Sequence, residues 1–317
     1  MSINIQEHMS LQGWQPGNLP PQAGKLAVVT GAASGLGYEI ALALAQGCAD
    51  VIVAGRNEAK GREAVGKLRM LAPKALVRFE RLDLANLASV SDFAGRLGTA
   101  GRPVDLLVNN AGVMALPKRL VTADGFEMQL GTNYLGHFAL TGLLLPLLRL
   151  SRGPRVVQVS SLAHRYGQIR FDDLQGERRY RPWAAYFQSK LAMVLFAREL
   201  QRQSDAHGWR LLSSAVHPGY ARTGIFSNGG RSAVSVLSGM LGRVLGQSAA
   251  DGAQPALFAA DSSSALEGGF YGPGGLLELA GPPAAAQISK RALDLDVARR
   301  LWQVSEQLTG VTWPTDR

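Results

Sequence analysis

Lys25-Leu26-Ala27-Val28-Val29-Thr30 reads as a buried strand, and Gly31-Ala32-Ala33-Ser34-Gly35-Leu36-Gly37 follows it as a glycine-spaced turn. From Tyr38 to Gln46 the composition is helix-forming, and it stops at Gly47. Glycine carries no side chain, so a GxxxGxG turn lets the backbone approach a ligand closely. The helix N-terminus beyond it offers free N–H groups and the positive end of the helix dipole, which suits a pyrophosphate. Chance glycine spacings are frequent in a chain with 37 glycines. The motif gains its weight from its place between a strand and a helix.

Outward from this turn, apolar runs of strand length alternate with helix-length segments. Val51-Ile52-Val53 reads as a second strand, and Asn57 is placed to cap a helix that begins at Glu58. Leu76–Leu82, Val104–Val108, Arg155–Ser160 and Arg210–Val216 read as further strands. Helical stretches over 123–150 and 183–206 separate the later ones, and shorter helices fit Asp251–Ala260 and Ala292–Leu308. Phe270-Tyr271 reads as a last edge strand and Gly272–Ala286 as a loop. This alternation predicts an α/β fold: a single doubly wound Rossmann-type domain with a central parallel sheet and helices on both faces. Residues 1–23 read as a polar N-terminal extension and 24–317 as the domain. Within it, the Gly-, Ser- and Pro-rich stretch 222–290 is expected to form a substrate lid and variable loops.

Composition excludes several classes. With 46% apolar and 18% charged residues among 317, the chain is neither disordered nor collagen-like. A single cysteine, Cys48, leaves no disulfide framework, and no histidine pair has metal-ligand spacing, so no metal is expected. No apolar run reaches roughly 18 residues, so no transmembrane segment is expected. The lead does not read as a signal peptide, and a cytoplasmic location is the resulting expectation. The net charge of +9 comes mainly from scattered arginines, clustered only at Arg178, Arg179 and Arg181. That pattern reads as a solvated surface, with no nucleic-acid partner.

The second strand ends in Ala54-Gly55-Arg56-Asn57. An acidic residue here would bind an adenosine 2′-hydroxyl, whereas arginine favours a 2′-phosphate. Arg56 therefore points to NADP(H). Asp83, ending the third strand, is placed to accept from an adenine amino group. Asn109-Asn110-Ala111-Gly112, ending the fourth, would set small groups beside the cofactor.

Taken in order, Thr30–Gly37, Asp83, Asn109–Gly112, Asn133, Ser160-Ser161, Tyr186-Phe187-Gln188-Ser189-Lys190 and Pro218-Gly219 with Thr223 resemble the short-chain dehydrogenase/reductase family. Gly131–Phe138, Val159–His164, Leu174-Gln175-Gly176, Tyr271–Gly275 and Leu301–Glu306 are similar to its retinol-dehydrogenase-like branch, which also resembles the protochlorophyllide reductases. Ser161 and Tyr186 stand 25 positions apart, farther than is usual in the family. The intervening insertion Arg165–Ala185 is a feature of the same branch. The resemblance implies an NADP(H) site built from Gly31, Ser34, Gly35, Leu36, Gly37, Arg56, Asp83, Leu84, Asn110, Ala111, Gly112, Tyr186, Lys190, Pro218, Gly219 and Thr223. It implies Asn133, Ser161, Tyr186 and Lys190 as the catalytic set, and a homo-oligomer, dimer or tetramer, formed through the two long helices.

The implied chemistry interconverts a carbonyl and an alcohol on a small molecule, with Tyr186 as the acid. Lys190, one helical turn onward, would lower the tyrosine pKa from about 10. Ser161 would steady the growing charge on the substrate oxygen, Asn133 would hold a water beside Lys190, and Thr223 would bind the nicotinamide carboxamide. Ser160 and Ser161 face opposite ways in an extended strand, so only Ser161 is expected to act. His137, His164 and His217 read as packing or loop hydrogen bonds. Phe226, Val234, Leu237, Met240, Leu241, Phe270 and Tyr271 suggest a lipophilic or aromatic aldehyde or ketone. Two alternatives stay open: a C=C reductase like protochlorophyllide reductase, and a non-catalytic NADPH-binding protein.

Overall fold

The computed structural model describes residues 19–220 and 247–315. Its centre is β1 (Leu26–Thr30), whose five residues are all buried. The alternate side chains of this strand divide the molecule. Leu26 and Val28 join one apolar cluster, and Ala27 and Val29 join another on the opposite face. A strand buried on both faces reads as a near-continuous apolar run, and Leu26–Val29 does so, with Thr30 the one polar residue at its end.

Around it lie β2 (Asp50–Gly55), β3 (Val77–Arg81), β4 (Leu106–Asn109), β5 (Arg155–Val159), β6 (Leu212–Val216), β7 (Phe270–Pro273) and β8 (Pro283–Ala285). The spatial order is β3-β2-β1-β4-β5-β6-β7-β8. All neighbours are parallel except β7 and β8, which are antiparallel. Between β1 and β4 the chain reverses its direction of winding, which opens a crevice at the carboxyl ends of the strands. One face is covered by α1 (Gly35–Gln46), α2 (Glu58–Leu71) and a later helix, Ala249–Asp261. The other carries α3 (Leu87–Ala100), α4 (Gly136–Arg149), α5 (Pro182–His207) and a C-terminal helix. In chain order, Ala249–Asp261 is α6 and the C-terminal helix Leu295–Thr309 is α7.

Three expectations change. The segment Gly272–Ala286 is not only a loop, because Pro283–Ala285 pairs with β7 as an antiparallel edge. The helix expected over 123–150 starts later, at Met128–Leu130, and enters α4 through a π turn, Gly131–Leu135. Before it, Val121 and Glu127 bridge across a tight turn, and the Glu127 carboxylate accepts from the amides of Gln129 and Leu130. Finally, Phe270-Tyr271 is not the edge strand expected, since β7 lies between β6 and β8.

The long helices α4 and α5 share an aromatic face that the same chain covers. Trp302 on α7 lies 5.1 Å from Phe138 and 5.9 Å from Phe196, ring centre to ring centre. Trp313 adds a contact to Phe138 at 5.4 Å. Gly142 makes room for this tail, since a Cβ there would meet Val311 at 2.8 Å. Among the described residues no helix is long and apolar enough to cross a membrane.

Candidate active site

The glycine turn owes its shape to φ and to crowding. Gly31 and Gly35 hold φ of +67° and +58°, where side chains are disfavoured. Gly37 has an ordinary φ, but a Cβ there would sit 2.5 Å from the Asn110 amide nitrogen and 2.7 Å from the Gly31 carbonyl. The third glycine thus lets α1 pack against the end of β4. Ser34 caps α1 without a side-chain hydrogen bond, and the first turn holds no acidic residue. The amides of Gly35, Leu36 and Gly37 are therefore free of side-chain caps, at a helix end that lines a cavity of about 740 Å³.

A buried chain of hydrogen bonds ties this turn to the π turn. Thr30 Oγ1 accepts from the amides of Asn110 and Ala111, each at 2.9 Å. It lies 2.9 Å from His137 Nε2, and His137 Nδ1 lies 2.8 Å from the Asn133 carbonyl oxygen. A carbonyl only accepts, so Nδ1 carries the proton and Nε2 accepts from Thr30. Burial pushes the His137 pKa down to about 3, which keeps the ring neutral. Asn110 is a brace as well as a cleft residue: its amide donates to the Thr30 carbonyl at 2.8 Å.

The cavity gathers nearly all the residues singled out in the sequence. At one end stand Arg56, Asp83 and Leu84. Lys60 and Asn57 join them, and neither was picked out as a ligand. Asn57 does cap α2, accepting from the Lys60 amide at 3.0 Å, and this fixes Lys60 one turn from Arg56. Asp83 Oδ1 accepts from the Ala85 amide. Among the described residues that line the cavity, Asp83 is the only acid. The middle is lined by Gly31, Ser34, Gly35, Leu36, Gly37, Ala111 and Gly112, and the far end by Ser161, Tyr186, Lys190, Pro218 and Gly219. Thr223 lies outside the described residues.

At the far end Ser161 caps a short 3-10 turn, Leu162–Tyr166, its hydroxyl accepting from the Ala163 amide at 3.2 Å, and it lines the cavity together with Tyr186. Burial pushes the Tyr186 phenol up to about 12, against the pull of Ser161. This differs from the expected lowering by lysine. The Lys190 ammonium lies 5.9 Å from the centre of the Tyr186 ring and donates to the Val159 carbonyl at 2.9 Å. Its own pKa is pushed down to about 8 by burial. Desolvation is the largest influence on the phenol. Ser160 turns inward, donating to the Lys190 carbonyl at 2.7 Å.

Asn133 does not line the cavity. Its Oδ1 accepts from the Val113 amide, and its Nδ2 donates to the Val113 carbonyl and to Ser189 Oγ. Both Nδ2 protons are thus used, and Oδ1 keeps one lone pair. Gly112 separates this residue from Lys190: a Cβ at 112 would be 3.1 Å from Asn133 Oδ1 and 3.7 Å from Lys190 Nζ.

The apolar wall comes from unexpected places. Met114, Leu116 and Trp183 line the cavity, and Trp183 meets Tyr186 edge-on at 6.2 Å. Phe270 and Tyr271 are buried in β7 and do not reach it: Phe270 packs on His164 and His217, and Tyr271 on Phe258. Phe226, Val234, Leu237, Met240 and Leu241 lie outside the described residues. The insertion is clasped over the site. Tyr180 Oη donates to the Leu116 carbonyl at 2.8 Å, and Gln188 holds both the Arg170 amide and the Leu174 carbonyl. No local pattern announces these contacts, because each joins segments distant in sequence.

Comparison with known proteins agrees with this geometry. A family model described as short chain dehydrogenase matches residues 25–232. Polyprenol dehydrogenase of Mus musculus is 43% identical over 303 residues, covering 94% of this chain and 87% of its own. Retinol dehydrogenase 13 of Homo sapiens is 40% identical over 300 residues, covering 93% and 87%. Among solved structures, an uncharacterised protein from Mycobacterium Paratuberculosis is 41% identical, with a TM-score of 0.80 over 96% of this chain and 100% of that one.

Proposed function

This chain belongs to the short chain dehydrogenase family, in its retinol dehydrogenase-like branch, and we propose that it is an NADP(H)-dependent oxidoreductase interconverting a lipophilic alcohol and its carbonyl compound. The observation that carries this reading is that Ser161, Tyr186 and Lys190 open on the same cavity as the uncapped N-terminus of α1. A nicotinamide dinucleotide fits the donor set: the free amides of α1 suit its pyrophosphate. Arg56 and Lys60 suit a 2′-phosphate, as two cations at a cavity end with one carboxylate. When bound, it supplies or accepts the hydride.

The chain's own residues handle the proton. With its pKa near 12, Tyr186 carries its proton at neutral pH and can donate it from Oη to a forming alkoxide. Ser161 Oγ, which lines the cavity beside the phenol, is the second donor to the substrate oxygen. Lys190, mostly charged below about pH 8, favours the phenolate that donation leaves behind. Met114, Leu116 and Trp183 exclude water and offer apolar contact to the substrate. The polyprenol and retinol dehydrogenase relatives support long isoprenoid alcohols and aldehydes as the first compounds to try.

The test is consumption of NADPH and NADH with aldehydes and ketones of graded chain length, using wild type beside Tyr186→Phe. Preference for NADPH and for longer apolar substrates, with loss of turnover but not of cofactor binding in the variant, is expected. Full activity in Tyr186→Phe would remove the tyrosine from the mechanism. Best turnover of small polar ketones would remove the lipophilic substrate.

A further inference from the structure

We propose that Glu278, which lies outside the cavity, is a positioning residue that fixes the reacting end of the cleft from behind. The inference rests on reading the cleft as a nicotinamide dinucleotide site. Glu278 joins three separate segments. Its Oε2 accepts from Arg165 Nη2 at 2.7 Å and from His217 Nε2 at 2.9 Å, and its Oε1 accepts from the Gln287 amide at 3.0 Å. Arg165 belongs to the 3-10 turn that Ser161 caps, His217 follows β6, and Gln287 follows β8. His217 passes the connection on, because its Nδ1 accepts from the Gly219 amide at 3.2 Å. One carboxylate thus reaches toward both the Ser161 side and the Pro218-Gly219 side of the cavity.

The backbone supplies an independent observation. Leu277 and Glu278 hold consecutive φ of +53° and +58°, a left-handed conformation that non-glycine residues seldom adopt. Burial does not hold this turn in place, since Leu276 and Leu277 are 85% and 71% exposed. Backbone bonds from Glu278 to Gly275 and from Leu279 to Leu276 close the turn, and the side-chain contacts of Glu278 tie it to the rest of the molecule. What the turn delivers is the Leu279 carbonyl, which accepts from the Tyr220 amide at 2.9 Å. A Cβ on Gly219 would run into that same oxygen. The strained turn is therefore the backing against which Gly219 and Tyr220, both cavity residues, are set.

The experiment compares Glu278→Gln and Leu277→Gly with wild type. Glu278→Gln keeps the shape and removes the charge that holds Arg165. It is expected to weaken NADPH binding about tenfold and to lower kcat. Adenosine 2′,5′-bisphosphate, which reaches only the Arg56 end, is expected to bind as it does to wild type. Hydrogen exchange in peptides covering 217–220 is expected to speed up. Leu277→Gly relaxes the backbone and keeps the carboxylate, so it is expected to bind and turn over like wild type. The proposal is overturned if Glu278→Gln binds NADPH normally, or if it loses both ligands in parallel. If wild type binds neither NADPH nor NADH, the reading of the cleft falls. The exchange measurement then decides by itself: unchanged rates at 217–220 overturn the positioning role, and faster rates support it.

Discussion

Ser160 and Ser161 both line the cavity, but the Ser160 hydroxyl is committed to the Lys190 carbonyl at 2.7 Å, while the Ser161 hydroxyl accepts from the Ala163 amide and keeps its proton to donate. Two adjacent serines therefore have separable jobs. Ser161→Ala is expected to lower kcat about a hundredfold or more, the usual cost of removing a donor to a developing oxyanion. Ser160→Ala is expected to cost about 1 kcal/mol of stability, the net worth of one hydrogen bond, with a far smaller loss of turnover. Steady-state kinetics and urea denaturation of both variants check the division. Equal kinetic losses would refute it.

The rate should depend on pH through Lys190. Its folded pKa near 8 means that its charge is present below that pH and lost above it, whereas Tyr186 keeps its proton up to about 12. For carbonyl reduction, kcat/KM of the free enzyme is expected to fall as pH rises through about 8. Alcohol oxidation needs the phenolate and is expected to gain with rising pH. Profiles measured in both directions would show the opposite slopes, and parallel slopes would contradict this assignment.

His137 links stability to acid. Its folded pKa is depressed below the ordinary value of 6.5, so the unfolded chain binds the extra proton first as pH falls. The stability due to the neutral ring is complete above about pH 6.5 and is lost progressively toward about 3. His137→Leu leaves Thr30 and the Asn133 carbonyl without their partner and is expected to cost about 1–3 kcal/mol at pH 7. The gap from wild type should narrow at pH 5, as urea titrations at both values would report. A constant gap would mean that the ring does not titrate on unfolding.

Arg56 and Lys60 set the choice between the two dinucleotides. Removing a charge-assisted hydrogen bond costs about 1.5–3 kcal/mol, so Arg56→Ala is expected to raise the KM for NADPH about tenfold or more. The KM for NADH should change little, because a 2′-hydroxyl has no charge to lose. Lys60→Ala should act in the same direction, more weakly, since its ammonium cannot bind two phosphate oxygens side by side. An equal loss with both dinucleotides would move the 2′-phosphate elsewhere.

Local signals were readable wherever the chain must satisfy one narrow demand. The alternation of β1, the glycine turn and the Asn57 cap of α2 each answer to residues within a few positions, and they stand where the pattern put them. The i,i+4 spacing likewise put Tyr186 and Lys190 on one helix beside Ser161. What the sequence hid depends on distant partners. The π turn that carries Asn133 is held through His137 to Thr30, more than a hundred positions earlier. Glu278 looked like one residue in a glycine-rich loop, since its partners Arg165 and His217 come from two other segments. Helix α3 was legible too, since Val90, Phe93, Ala94 and Leu97 stand at i, i+3, i+4 and i+7, although Ser, Gly and Thr dilute the stripe.

The covering of α4 and α5 by α7 bears on how the molecule is made. Phe138 and Phe196 are synthesised long before Trp302 and Trp313, the rings that close over them. A nascent chain can pair β1 to β6 and set its catalytic helix in place while this aromatic face still stands open. During that interval it carries a sticky surface that the finished molecule hides, and premature contacts with other unfinished chains compete with closure. The yield of folded protein should therefore be governed less by the glycine turn or the sheet than by how quickly the last tryptophans arrive.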